Sequence, residues 1–255
     1  MHSGLPAQDA IDARAIRTRP VAIVALDRPD ARAAFDLVER LPDATFFKVG
    51  LQLFTAEGPD VVRRLKGDGM RVFLDLKLHD IPNTVAGAVR SATELGADIV
   101  SLHAAGGAAM LEAAADAVAG VADPPLLFAV TVLTSLNPTD LSATWGRSSL
   151  SLRDEAARLA RFAANHGCDG VVASVHEADP IRRATRADFP ILAPGIRLPG
   201  DQTDDQVRVA TPADAARLGI DFIVVGRSVT AGADPAAAYQ RIARVLAADE
   251  GSENG

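Results

Sequence analysis

Short apolar runs alternate with Ala-rich stretches of helical period from about residue 20 to the end of the chain. The apolar runs predict strands at residues 21–27, 45–50, 71–78, 99–103, 126–133, 170–174, 191–196 and 222–227. Most are apolar at successive positions rather than alternating, which suits parallel strands covered on both faces. Helical periodicity fills the gaps, for example over 31–41, 82–95, 108–119, 154–166 and 235–247. Several of these segments open after a capping Asp or a Pro and close at Gly, as in Leu95-Gly96 and His166-Gly167.

Strands that are each followed by a helix, eight times over, predict an α/β fold that closes into a single (β/α)₈ TIM barrel. No linker or shift in composition splits the chain. The expected organisation is a loose extension over 1–16, one barrel domain over 17–248 and a polar tail over 249–255. Two long connections, 134–149 and 197–210, are candidates for functional loops.

The charged residues gather at one end of the predicted strands. Asp27 ends the first, Lys48 nearly ends the second, Asp75 and Lys77 lie near the end of the third, and Asp80 follows in the turn. Residues two apart in a strand share a face, so Asp75 and Lys77 are expected to point the same way. The C-terminal ends of barrel strands are where such enzymes place their chemistry. An apolar strand such as Val72-Phe73-Leu74-Asp75-Leu76-Lys77-Leu78 cannot bury two ionised groups without partners. Alternating signs supply them, and Lys48, Asp75, Lys77 and Asp80 can form a mutually neutralising row. Ordinary strand-end ion pairs would explain any single one of these residues, but not the whole gathering on one face.

A second feature predicts an anion seat. The seventh strand ends Ala193-Pro194-Gly195-Ile196-Arg197 and the eighth ends Val225-Gly226-Arg227-Ser228. Loops after strands seven and eight are the usual phosphate position in this fold, where Gly admits backbone N–H groups and Arg adds a forked donor set.

Composition narrows the reading. A formal net charge of −7 argues against broad nucleic-acid binding, which needs a basic surface. The one cysteine, Cys168, excludes an intrachain disulfide, and its Gly167-Cys168-Asp169-Gly170 turn suits a small packed thiol. With no leader-like pattern and no apolar run approaching 18 residues, a cytoplasmic protein without membrane contact is expected. His79 and His103 lack metal-ligand spacing, so His79 reads as a packing residue and His103 as a neighbour of the site mouth. Trp145, in the long connection after the fifth strand, reads as an anchor for that loop.

The segment Phe73-Leu74-Asp75-Leu76-Lys77-Leu78-His79-Asp80-Ile81-Pro82-Asn83-Thr84 resembles the signature of the orotidine 5′-phosphate (OMP) decarboxylase family. The likeness extends in order through Ala25-Leu26-Asp27, Phe47-Lys48-Val49-Gly50, Val132-Leu133-Thr134-Ser135, Pro194-Gly195-Ile196-Arg197, Asp205-Gln206-Val207-Arg208 and Val225-Gly226-Arg227. It therefore covers about residues 20–230. The Asp-x-Lys-x-x-Asp core is shared with sister barrels, whereas Ile-Pro-Asn-Thr together with Lys48 is much more specific.

The resemblance implies decarboxylation of OMP to UMP, the last step of pyrimidine nucleotide synthesis, with neither metal nor cofactor. Lys77 would protonate C6, with Asp75 against the substrate carboxylate between Lys48 and Lys77. Asp80, Ile81 and Thr84 would reach into the site of a neighbouring copy, so a homodimer is implied. Asp27 and Lys48 would hold the ribose, Thr134 would line the pyrimidine and Pro194 would pack on its ring. Arg197, Gln206, Gly226 and Arg227 would take the phosphate, Gln206 arriving as the 197–210 loop closes. Two rivals remain at this point. Sister decarboxylases and synthases of sugar phosphates resemble metal enzymes with a carboxylate where Lys48 stands. A silent phosphate-binding barrel would explain the Gly-Arg pairs but not the charge row.

Overall fold

Eight parallel strands pair in chain order, and the last pairs with the first to close a barrel. They are β1 (Val21–Ala25), β2 (Phe46–Gly50), β3 (Arg71–Leu78), β4 (Ile99–His103), β5 (Leu126–Val130), β6 (Gly170–Val172), β7 (Ile191–Ile196) and β8 (Phe222–Val225). The helices are α1 (Ala31–Glu39), α2 (Leu51–Glu57), α3 (Asp60–Gly67), α4 (Pro82–Glu94), α5 (Ala108–Val118), α6 (Pro138–Trp145), α7 (Leu152–Asn165), α8 (Ala178–Ala184), α9 (Pro212–Arg217), α10 (Arg227–Thr230) and α11 (Pro235–Ala247). The computed structural model describes residues 19–198 and 209–248. The expected extension over 1–16 and tail over 249–255 lie outside those residues, as does Gln206.

The two-residue period of the strands sorts their side chains into two cores. Val24, Leu26, Phe47, Val49, Val72, Leu74, Val100 and Leu102 pack outward with the helices. Ile23, Ala25, Phe46, Phe73, Ile99, Phe128, Leu192, Phe222 and Val224 fill the barrel. Phe222 meets Phe46 and Phe128 edge-on, at ring-centroid distances of 6.3 and 5.7 Å. β5 and β8 are not neighbours, so the Phe128 contact spans the interior and closes it. Counting two residues on from these apolar positions gives Asp27, Lys48, Asp75, Ser101, Pro194 and Gly226, a polar layer on an aromatic floor.

At the opposite end a Gly-x-Asp triplet precedes alternate strands: Gly96-Ala97-Asp98, Gly167-Cys168-Asp169 and Gly219-Ile220-Asp221. Each Gly has a positive φ, of 76°, 86° and 62°, which turns the chain out of a helix at little steric cost. The carboxylates of Asp98, Asp169 and Asp221 accept the N–H groups of Val72, Leu127 and Ile191 at 2.7–2.8 Å, at the starts of β3, β5 and β7. The middle residue of each triplet is buried. Cys168 is therefore a packed thiol, as expected, and burial pushes its pKa up to about 12.

β3, β4 and β7 match their predicted spans, and four predicted strands overshoot. β1 ends at Ala25 rather than Asp27, β5 at Val130 rather than Leu133, β6 at Val172 rather than Ser174, and β8 at Val225 rather than Arg227. Turns and helix caps take over where the ladders stop. Ser174 caps a short turn, and Gly226 caps α10. The 134–149 connection is not loop throughout, because it contains α6, whose Asn137 side chain accepts from Asp140 N–H in a capping box. Trp145, at the end of α6, is partly buried against the core, in keeping with an anchoring role.

Candidate active site

The polar layer opens into a cavity of about 470 Å³ at the C-terminal mouth of the barrel. Asp27, Lys48, Asp75, Lys77, Thr134, Pro194, Arg197, Gly226 and Arg227 all line it. Side chains chosen from separate strands and loops thus share one chamber.

Lys48 Nζ donates to Asp27 Oδ1 at 2.8 Å and lies 3.8 Å from Asp75 Oδ2. Lys77 Nζ donates to the same Asp75 Oδ2 at 2.7 Å. The result is a line of alternating sign, Asp27–Lys48–Asp75–Lys77, and only its two ends reach appreciably into solvent. Lys48 and Asp75 are 8% and 7% exposed, so each needs opposite charge against it to offset the loss of water. Gly50 makes room for the line: a Cβ there would stand 2.8 Å from Lys48 Nζ and 3.1 Å from Asp27 Oδ1.

Asp75 and Lys77 converge as the sequence predicts, but not along a regular strand. Between Leu74 and Leu78 the register of β3 against β4 shifts, and Lys77 adopts φ 52°. A non-Gly residue in that region costs on the order of 1–3 kcal/mol and persists only where the surroundings hold it. Ser101 on β4 supplies such a hold. Its Oγ accepts the Lys77 backbone N–H at 2.8 Å and donates to Asp75 Oδ1 at 2.8 Å.

Asp80 departs from the expected row. Within this chain it is exposed, its Oδ1 accepts only the Ile81 N–H among the described residues, and Asp27 takes its place beside Lys48. Ile81 is 66% exposed and Thr84 is also exposed, and none of the three lines the cavity. Turn geometry explains this. The chain leaves β3 and enters α4 through Ile81-Pro82, so the three residues sit in the exposed turn and first helical turn beyond the strand, not on the strand itself.

On the β7–β8 side the cavity becomes cationic. Gly195, at φ 82°, interrupts the pairing of β7 with β8 and lets the chain turn into Arg197. Arg197 is 8% exposed and donates to its neighbour's carbonyl, Ile196 O, at 3.1 Å. Arg227 follows Gly226 at the end of β8, and Arg28, which sequence reasoning missed, donates to Thr230 O at 2.7 Å in the same wall. Three guanidinium groups around one end of a chamber suit an anion with several oxygens.

The rings of His103 and His79 meet at a tilt of 35° and a centroid distance of 5.2 Å, and neither lines this chamber. Burial first, then the neighbouring His79 and Lys77 charges, holds His103 below its ordinary pKa. No group of three or more His, Cys, Asp or Glu side chains suited to a metal occurs among the described residues. No helix among them is long and apolar enough to cross a membrane.

Fold and site together define a TIM-barrel enzyme whose strand ends pair a charge line with a cationic seat. Comparison with known proteins narrows that class. Residues 20–242 match the profile of the orotidine 5′-phosphate decarboxylase / HUMPS family, and the chain belongs to that family. It is 51% identical over 227 residues to an orotidine 5′-phosphate decarboxylase from Moorella thermoacetica, covering 87% of this chain and 90% of the relative. A relative of the same name from Lysinibacillus sphaericus is 44% identical, over 90% of this chain and 99% of its own. The crystal structure of an orotidine 5′-phosphate decarboxylase from Lactobacillus acidophilus superposes with a TM-score of 0.78 at 37% identity, covering 90% of this chain and all of that one.

Proposed function

We propose that this chain decarboxylates OMP to UMP and CO₂ in the cytoplasm, using its own side chains. The observation that carries the reading is the Lys77 ammonium, hydrogen-bonded to Asp75 at 2.7 Å in the same cavity as Arg197 and Arg227. In the reaction the bond from C6 to the carboxylate breaks, CO₂ leaves, and the electron pair stays on C6. Lys77 delivers a proton to that carbon and is then recharged from water.

No ring orbital is positioned to delocalise this carbanion well, so fixed positive charge must stabilise it. Enzymes lower barriers by about 8–23 kcal/mol, and this reaction needs the upper part of that range. Asp75 holds both ammonium groups by one oxygen, and its charge opposes the substrate carboxylate until that group departs. Asp27 and Lys48 take the ribose hydroxyls, while Thr134 and Pro194 border the pyrimidine. Arg197, Gly226 and Arg227 hold the phosphate, joined by Gln206.

Asp80, Ile81 and Thr84 complete the site of a second copy, so the working unit is a homodimer. Their exposure, on a chain whose Lys48 and Asp75 are both buried, supports this reading. Against metal-dependent sister chemistry stands Lys48, whose ammonium already sits between the Asp27 and Asp75 carboxylates. A divalent cation there would meet like charge.

Loss of OMP absorbance tests the proposal directly. The wild-type chain should turn OMP over equally with and without EDTA. Lys77→Ala should remove turnover while circular dichroism and UMP binding stay close to wild type. Substantial kcat in Lys77→Ala would take the donor role from Lys77.

A further inference from the structure

Ser101 has no assigned part in the chemistry, yet its side chain touches both halves of the Asp75–Lys77 pair. It is fully buried, at 0% exposed, on a strand whose other residues are Ile99, Val100, Leu102 and His103. Its hydroxyl is used in both senses, accepting from Lys77 N–H and donating to Asp75 Oδ1.

The sheet explains why a hydroxyl is needed there. Leu74 pairs with Val100 and Leu78 with Leu102, so β3 spends more residues than β4 over the same stretch. Lys77 lies inside that mismatch in a left-handed conformation, and its N–H goes to a side chain, not to a β4 carbonyl. A buried N–H without an acceptor would be costly, and a left-handed lysine needs an external hold. One Oγ therefore fixes the backbone from which the Lys77 side chain springs. It also fixes the carboxylate that receives the Lys77 ammonium, leaving Asp75 Oδ2 for the two lysines.

We propose that Ser101 is a positioning residue, which sets the direction of the Lys77 ammonium by bonding its backbone and its counter-ion at once. This rests on the assignment of Lys77 as the donor to C6. A displacement of about 1 Å in a reacting group can cost roughly 100-fold, and Ser101→Ala should lower kcat by about that factor. KM and the affinity for UMP should change little, because ribose and phosphate are held from other strands.

A second readout isolates the proton step: exchange of the C6 hydrogen of UMP for deuterium, followed by NMR. Ser101→Ala should slow this exchange in parallel with kcat, and Ser101→Thr, which keeps the hydroxyl, should recover most of both. Wild-type kcat and exchange in a folded Ser101→Ala would overturn the proposal, as would losses in Ser101→Ala that Ser101→Thr fails to recover. If Ser101→Ala does not fold, Ser101→Cys serves, being of similar size but a weak donor. It should show the same loss of kcat at unchanged UMP affinity, and full activity would overturn the role. A wild-type chain that neither consumes OMP nor exchanges the C6 hydrogen would sink the donor assignment itself, which is a different result from any of these.

Discussion

Carboxylates at the two ends of this barrel have opposite duties, and Asp98→Ala separates them. Asp98 Oδ2 accepts from Val72 N–H and from Lys66 Nζ, both at 2.7 Å. Val72 is 0% exposed, so removing the carboxylate strands a buried donor, which costs about 1–3 kcal/mol. The Lys66 pair adds little. Its side chains are 21% and 19% exposed, and the freed ammonium can turn to water, so about 0–1 kcal/mol is the fair figure. A loss of about 2 kcal/mol in a domain of this size lowers Tm by roughly 4–8 °C. Calorimetry gives the Tm, and OMP consumption well below it gives kcat/KM, which should stay within about two-fold of wild type because additive effects of distant sites rarely couple. A large fall in kcat/KM at unchanged Tm would refute the division of labour, since Asp98 would then be reporting on the far mouth.

Three further outcomes follow from the proposed function and the geometry together. Arg227→Ala should weaken UMP by about 1.5–3 kcal/mol, the worth of a charged hydrogen bond, and leave uridine binding unchanged; equal losses for both ligands in calorimetric titrations would remove Arg227 from the phosphate site. Mixing inactive Asp80→Asn and Lys77→Ala chains should restore activity to about a quarter of the sites, because half of randomly mixed dimers carry one intact site of two; no recovery after verified subunit exchange would place Asp80 in its own chain's chemistry. His103 is held below its ordinary pKa, so the fold favours its neutral form. Its contribution to stability is complete above the unfolded value of about 6.5 and is lost as pH falls through the lower folded value. Tm should therefore drop between pH 7 and 5 more steeply in wild type than in His103→Asn, and equal slopes would dismiss the assignment.

Much of this was legible because the inward positions of a barrel strand obey a two-residue count. Phe46 to Lys48 and Phe73 to Asp75 run from floor to site by that count alone. The same count reaches Ser101 from Ile99, and its signal, one hydroxyl amid apolar neighbours, was present in the sequence but overshadowed by the charges beside it. Arg28 was hidden for a different reason, since an Arg after a strand-ending Asp is usually solvated. Its role depends on Thr230, far along the chain but adjacent once β8 closes against β1. The left-handed turn at Lys77 has no residue-type signal at all, because Gly or Asn would normally mark it. α6 did announce itself through Asn137-Pro138-Thr139-Asp140, a start signal that the polar character of the loop obscured.

On the proposed mechanism, the aromatic floor contributes to the chemistry. Were the barrel interior wet below Lys48 and Asp75, water would screen both ammonium groups and weaken any field they exert on C6. Phe46, Phe73, Phe128 and Phe222 are at most 2% exposed and close that route from beneath. The line of charges thus has solvent on its substrate side only, and a bound ligand displaces much of that. Under those conditions a fixed charge gains strength without having to reorient as the carbanion forms. The same dryness explains why the row alternates in sign: an unpaired ammonium on that floor would shed its proton or unfold the strand end before it could help catalysis. Opposite charges let the site store positive potential where water alone would not, and they bind it to geometry, since Asp75 can serve both lysines only while β2, β3 and β4 keep their present register.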